Sequence, residues 1–489
     1  MVSRLIITRK IKPQKKKKML KNKCCILLLF LQLLISLKST AQSDSILKLN
    51  LDNFLLLVKQ NHPVAKQAEL IIKSADANKL AALGGFDPKL FYEFKNKFYD
   101  SKNYYELSNG GFAIPAWFGI DFKAGLEQNQ GSYLNPENTL PNNGLMYAQI
   151  SLPILQGLII DERRATLKQA KIFQELSVFE KINTINELLY KAGKAYWDWH
   201  LAYSNLVIYQ NAVNLSQTRF EATKRTFVLG DRPGIDTVEA NIQWQDRIIN
   251  MQQALMEYKT KSLLLSNYLW LENNTPIELT DKLIPENYSE NYDKQNRLYA
   301  NISNLDSLIT IHPNLKLYDF KLKQLAIEKK YKQEKLKPNL NVNYNPLFNA
   351  ENANLSYQNN YKWGVTVGFP VFLRKERGEL QLTKMKIENT IYEIANKRNE
   401  LLNKTKASIN EYNVYKNQIA IYSKNVINYQ RLWQSEKQLF DNGEGSLFMI
   451  NSREMNYINA QIKLNEILNK NKKAALDVEY LLGLLNVLY

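Results

Sequence analysis

From Glu379 to Asn442 the chain runs 64 residues without a glycine or proline, and from Ile159 to Leu229 it runs 71 with only Gly193 between. Glycine and proline punctuate helices, so each run predicts one helix of about 100 Å at 1.5 Å per residue, against a globular norm of roughly 11 residues. An ordinary domain cannot enclose such a helix; it must lie beside others in a coiled-coil-like wall. Neighbours of suitable length flank each run. Proline-led patterns predict short helices at Pro63–Leu83 and Pro313–Leu336, and return helices follow at Ile235–Leu271 and Ser446–Leu482. A short and a return helix laid end to end come to roughly 60 residues, close to one long helix.

The order of landmarks occurs twice. His62-Pro63 lies 25 residues before Pro88, and His312-Pro313 lies 25 before Pro338, so the copies are offset by 250. "MYAQISLPILQGLIIDERRATLKQAK" echoes "YKWGVTVGFPVFLRKERGELQLTKMK", pairing Pro153 with Pro370 and Glu162-Arg163 with Glu376-Arg377. One architecture is written twice, and this decides how the scarce histidines are read: as equivalent positions of a duplication rather than two halves of a metal site.

Between the short and long helix of each half the period changes to two. Leu340, Val342, Tyr344 and Phe348 alternate with asparagines, Trp363, Val365, Val367 and Phe369 with Lys362, Gly364, Thr366 and Gly368, and Leu90, Tyr92, Phe94 and Phe98 with Glu93, Lys95 and Lys97. These are strands with one apolar and one polar face. No other apolar layer is available to cover those faces. Two hairpins, or more if residues between Tyr99 and Gln149 add strands, fall short of the eight strands that close the smallest barrel. A barrel therefore has to be shared between subunits.

The first 41 residues hold eleven Lys and Arg, no acid and the apolar run Cys24–Leu37, followed by small residues. This is the order of a secretory signal peptide, and fourteen apolar residues fall short of the ~20 of a spanning helix. Cleavage is expected near Ala41, and Met19 offers an alternative start. The remaining chain carries 54 basic and 47 acidic residues, or +7, so the headline +18 is no argument for nucleic-acid binding. Cys24 and Cys25 leave with the leader, which excludes disulfides, a cysteine nucleophile and thiolate metal sites. No phosphate loop, HExxH or nucleophile elbow occurs. The reading is therefore not an enzyme, with no catalytic, cofactor-binding or metal residues.

The layout, the helix starts "NHPVAKQAEL" and "IHPNLKLYDF", the strand-to-helix stretches "LPILQGLIIDERRATLKQA" and "FPVFLRKERGELQLTKM", and the terminal "ALDVEYLLGLL" resemble the TolC-type outer-membrane efflux channels across residues 46–487. The resemblance implies a mainly α fold with β. It implies an outer-membrane β-barrel shared by a homotrimer, four strands per subunit and twelve in all, continuing into a long periplasmic helical barrel with two internal repeats. It implies a passive exit duct in the outer membrane of a Gram-negative bacterium, serving efflux or type I secretion. Its partners would be outer-membrane lipid, a periplasmic adaptor and an inner-membrane transporter of RND or ABC type. The expected layout is a signal peptide at 1–41, a first repeat at 42–283 (β-hairpin region 88–153, long helix 159–229, return helix 235–271), and a second at 284–489 (short helix 313–336, hairpin 338–372, long helix 379–442, return helix 446–482).

Function on a conduit concentrates where it closes. The long helices turn at "LGDRPGIDTVE" and "DNGEGSLFMIN", where Gly230 and Gly443 fit helix C-caps. The family's gate and adaptor-docking tip carries over to Gly230, Asp231, Arg232, Asp236, Glu239, Asp441, Gly443 and Glu444. The family's acidic residue six positions after the turn glycine fits Asp236, but the second half has Met449 there, which puts a carboxylate ring in doubt. Asp441 and Glu444 are substitutes; the alternative is that all four carboxylates are helix-end charges. Trp363, Tyr92, Phe94 and Tyr344 suit a membrane-interface belt. Arg163 and Arg377 read as helix-start packing, and "YWDWH" (Tyr196–His200) as interhelix packing. Two other readings remain: a secreted periplasmic coiled-coil adaptor or scaffold with soluble β domains, and an uptake porin.

Overall fold

The computed structural model describes residues 47–280, 282–288, 305–349 and 359–489. The expected leader, Met19 as a start, and Cys24 and Cys25 lie outside them. Two units separate by their contacts. The described residues of the smaller are 47–48, 280 and 282–284, where the Leu47 N–H donates to the Lys282 carbonyl at 3.1 Å. That pairing starts a two-stranded sheet of β1 (Leu47–Leu49) and β6 (Leu283–Pro285). The larger unit, 49–279 with 285–489, holds everything else described below.

The glycine-poor runs form α3 (Glu162–Val228, 67 residues) and α7 (Arg374–Asp441, 68 residues). Asp161 caps α3, its carboxylate accepting from the Arg164 N–H at 2.9 Å. Before α3 come α1 (Leu51–Asn61) and α2 (Pro63–Leu83), and after it α4 (Gly234–Ser266). The second half supplies α5 (Leu305–Thr310), α6 (Pro313–Glu334), α8 (Leu447–Leu481) and α9 (Leu485–Leu488). At the sheet end, side-by-side contacts run α2–α3–α6–α7; toward the other end they run α4–α3–α8–α7. Short and return helices thus stack end to end along the two long ones, four helices abreast at either level.

The duplicated histidines have matching structural work. His62 caps α2, its Nδ1 accepting from the Val64 N–H at 3.1 Å, and His312 caps α6, its Nδ1 accepting from the Asn314 N–H at 3.0 Å. A ring nitrogen can accept only when unprotonated. Burial pushes the His62 ring down from its ordinary value. It pushes His312 down to about 4, with the nearby positive charge of Lys397 acting in the same direction. The proline that follows each supplies the first helical position, where a missing N–H costs nothing.

The sheet departs from expectation. Six strands form one antiparallel sheet in the order β2 (Lys89–Tyr99), β3 (Lys102–Pro115), β4 (Asp121–Gln130), β5 (Leu145–Pro153), β7 (Asn339–Asn349), β8 (Tyr361–Gly368). Among the described residues the four strands per subunit implied by the resemblance are therefore corrected to six, because the first half contributes four strands to this sheet where the second contributes two. The additional hairpin, β3 and β4, hides in the sequence for a physical reason. Its polar face includes Gly111 and Gly125 directly opposite each other, and asparagine and glutamine dilute the alternation elsewhere. The missing side chains are replaced from the next strand: Tyr147 lies against Gly125 and its hydroxyl donates to Asn109 at 3.0 Å. The β2–β3 turn is just Asp100-Ser101, both at positive φ, the geometry of a type I′ hairpin.

Candidate functional site: the helix tips and the apolar sheet face

At the far end of α3, the Gly230 N–H donates to the Phe227 carbonyl (3.0 Å) and the Asp231 N–H to the Thr226 carbonyl (3.0 Å). At the end of α7, the Gly443 N–H donates to Phe440 (3.1 Å) and the Glu444 N–H to Leu439 (2.9 Å). Both are Schellman motifs, with the glycines at φ 83° and 82°. A Cβ at either glycine would meet nothing within 4 Å, so the backbone angle alone selects glycine.

The tip residues expected from sequence then divide. Arg232 lies 3.5 Å from Asp236 and stacks over the Phe440 ring at 4.1 Å, linking the first turn to the end of α7. Glu239 accepts from Asn451 Nδ2 at 3.3 Å. Asp231, Asp441 and Glu444 are exposed on the turns. Sequence reasoning missed what Glu239 leads to. Asn451 Oδ1 accepts from Arg219 Nη1 at 2.7 Å, and Arg219 also pairs with Glu454, whose side chain is 2% exposed. Arg247 is itself 2% exposed, and its Nε and Nη1 have no hydrogen-bond partner. Burial pushes the Arg247 guanidinium down, and the charge of Glu454 works against that. Charges in mid-helix normally read as a solvated face. Here Phe220, Trp433 and Phe440 pack around Ala240, Leu447 and Ile450 beside them. The network spans α3, α4 and α8, so it joins the helical hairpin of the first half to that of the second.

At the other end, an apolar band crosses one face of the sheet, giving way toward the outer ends of β3 and β4 to Glu106, Ser108, Gln128 and Gln130. Register carries it across all six strands: Leu90 opposite Phe112, Phe112 opposite Ala124, Ile114 opposite Phe122, Phe122 opposite Ile150, Ile150 opposite Tyr344, Tyr344 opposite Trp363. Tyr92 and Phe94 lie on this face at the β2 edge and Tyr344 and Trp363 at the β7–β8 side, and Tyr92 and Trp363 are 71% and 64% exposed. The strands are 8 to 14 residues long, bracketing the ~9–11 that cross a bilayer as a tilted strand. Both outer edges, β2 and β8, lack a further neighbouring strand among the described residues. No described helix is long and apolar enough to cross a membrane.

The start of α3 at the sheet rim is fixed by charge, whereas α7 starts after Leu373 with no side-chain cap. Arg163 bonds Asp121 at 2.9 Å and Asp161 at 3.1 Å, while Arg164 bonds Asp161 at 3.0 Å and the Gly157 carbonyl. Burial alone would raise the Asp161 carboxyl, but the hydrogen bonds from Arg164 and Arg163 outweigh it and hold it below the usual range. The "YWDWH" stretch is packing: Trp199 is fully buried, the Tyr196 hydroxyl donates to the Leu49 carbonyl at 2.8 Å, and His200 Nε2 meets the Glu286 carbonyl at 2.7 Å. His200 is pushed down to about 4 by burial.

No protein-family model and no curated protein matches the sequence. Solved structures do match. The Campylobacter jejuni CmeC outer membrane channel shares the fold at a TM-score of 0.63 and 13% identity, over 88% of this chain and 85% of that one. The open state of the Neisseria gonorrhoeae MtrE outer membrane channel matches at 0.62 and 11%, over 91% and 93%. The outer membrane protein VceC from Vibrio cholerae matches at 0.61 and 12%, over 88% and 96%. The architecture is that of an antiparallel sheet mounted on long helical hairpins. More specifically, it is the fold of TolC-type outer-membrane efflux channels.

Proposed function

We propose that this chain is one protomer of a passive outer-membrane export duct, assembled as a homotrimer with six strands per copy in one eighteen-stranded barrel. The observation that carries the reading is the apolar face running across all six strands of a sheet with two open edges. In water that face would be costly at about 25 cal/mol per Å², and open edges invite aggregation. Lipid around the face and a further copy at each edge remove both problems. Six strands are fewer than the eight that close the smallest barrel.

The helices then extend into the periplasm, and the turns at Gly230 and Gly443 are the end that closes and docks a periplasmic adaptor fed by an inner-membrane transporter. The Arg219–Glu454 and Asn451–Glu239 contacts hold the two hairpins of one protomer together and favour the closed tip. Tyr92, Phe94, Tyr344 and Trp363 form the membrane-facing belt. A periplasmic adaptor has its hairpin between separate β halves, whereas here one continuous sheet is fed by both halves of the chain. Fractionation tests the reading. Heat-modifiable trimers in the outer membrane are expected, with ion conductance in planar bilayers, and quantitative recovery in the soluble periplasm would refute it.

A further inference from the structure

The polar face of the sheet is not neutral. Apart from Lys102 beside the Asp100-Ser101 turn, its charged residues are Lys89, Glu93, Lys95 and Lys97 on β2, Asp121, Lys123 and Glu127 on β4, and Lys362 on β8, all in the register set opposite the apolar residues. Two of the three acids are already matched: Glu93 by Lys95 at 2.6 Å and Asp121 by Arg163 at 2.9 Å. Four lysines, Lys89, Lys97, Lys123 and Lys362, then stand against Glu127. Away from that turn the face therefore carries 4 − 1 = +3 per chain, and Lys102 adds to the excess. All four lysines are exposed on this face. The remaining polar positions, including Asn109, Asn129, Gln149, Asn341, Asn343 and Thr366, are uncharged.

An apolar face turned to lipid leaves this polar face turned to the lumen, and low-dielectric walls concentrate the field of fixed charges inside a pore. Resting on the channel reading above, we propose that the barrel segment of the duct is cationic and favours anionic cargo, solutes bearing carboxylate, phosphate or sulfate groups. The excess spans the sheet from its first strand to its last, so each copy would line its own sector of the wall. A lysine ammonium is a hydrated point charge on a flexible stem, which suits attraction of many anions without selecting one. Because the Debye length at 0.1 M salt is about 10 Å, the preference is expected to weaken steeply as salt is raised.

The test is the reversal potential of the purified full-length trimer in a planar bilayer under a potassium chloride gradient. It is measured for the wild type and for a variant with Lys89, Lys97, Lys123 and Lys362 all changed to Gln. The tip carboxylates are identical in both, so any difference reads the barrel. The expected result is a shift of the variant toward potassium, a larger shift for K123E with K362E, and collapse of the difference at 1 M salt. Trimers checked by heat-modifiability separate this from misfolding; single Lys123→Gln and Lys362→Gln channels, each shifting part of the way, serve if the quadruple variant fails to assemble. A conducting channel whose reversal potential is the same with and without the lysines overturns the cationic lumen while leaving the duct. Absence of conductance in the wild type overturns the duct reading and this inference with it.

Discussion

Changing Glu454 to Ala is the sharpest perturbation of the proposed closed tip. Glu454 is 1% exposed and pairs with Arg219, while Arg247 lies buried in its field with two donor nitrogens unmatched. Removing the carboxylate leaves two guanidiniums in a low-dielectric pocket, and breaking a buried pair from one side costs about 3–5 kcal/mol. Glu454→Gln keeps the shape and one acceptor but loses the charge, a difference of about 1–2 kcal/mol between charge-assisted and neutral hydrogen bonds. The contacts run between α3 of the first half and α8 of the second, so the loss falls on the docking of one hairpin against the other. At 1.4 kcal/mol per tenfold, 3 kcal/mol shifts the docked-to-undocked ratio by roughly two orders of magnitude. Resting conductance in planar bilayers should therefore rise strongly for E454A, less for E454Q, and also for Arg219→Ala. The double variant E454A/R219A should be less damaging than the sum of the singles. Unchanged conductance in both singles, or a coupling below about 0.5 kcal/mol in the double-mutant cycle, would refute the assignment.

Other expectations follow from single contacts. A Cβ on Gly111 would sit 2.1 Å from the Ala124 carbonyl oxygen, whereas one on Gly364 would meet nothing within 4 Å; Gly111→Ala should abolish heat-modifiable trimers and Gly364→Ala should not. Lowering the pH should destabilise the helical region through His200 and His312, whose folded values near 4 lie below the ordinary 6.5. Their contribution is complete above about 6.5 and is lost as pH falls toward about 4, roughly 3 kcal/mol for each ring. His312→Asn keeps an N-cap acceptor and should remove the His312 contribution from the slope of stability against pH, as read by thermal melts at pH 4 to 7. His312→Ala should in addition cost about 1 kcal/mol at pH 7 from the lost cap.

What the sequence reveals here depends on how far apart the cooperating residues are. Helix ends are local, so Gly230, Gly443 and the two His-Pro pairs announce themselves by residue type and the backbone they need. Strands β2, β7 and β8 are legible because large apolar residues occupy every second position. Strands β3 and β4 are not, because their polar face has glycines filled from a neighbouring strand by Tyr147, and alternation cannot see across strands. The Arg219–Asn451–Glu454 contacts are the least legible, since more than 230 residues separate their partners and a buried ion pair has the same residue types as a solvated one. The expected tip carboxylates illustrate the converse: Asp236 and Glu239 have partners, while Asp441 and Glu444 stand free of the network that the same stretch of helix contains.

In the proposed trimer, the added hairpin also bears on how the barrel can sit on a helical tube without a step between them. Strands spaced ~4.8 Å apart and tilted ~40° occupy roughly 6 Å each of the rim, so six strands span about 38 Å and four would span about 25 Å. The four helices abreast beneath the sheet, at 8–10 Å between axes, span about 32–40 Å. Six strands therefore equal four helices in circumference, and the wall can pass from membrane to helices at constant bore. A chain with four strands would have to narrow or flare at that junction. In this one, β3 and β4 are the strands that end on no helix, hanging from the rim by the turn at Ala116–Ile120, and they supply the missing third of the perimeter.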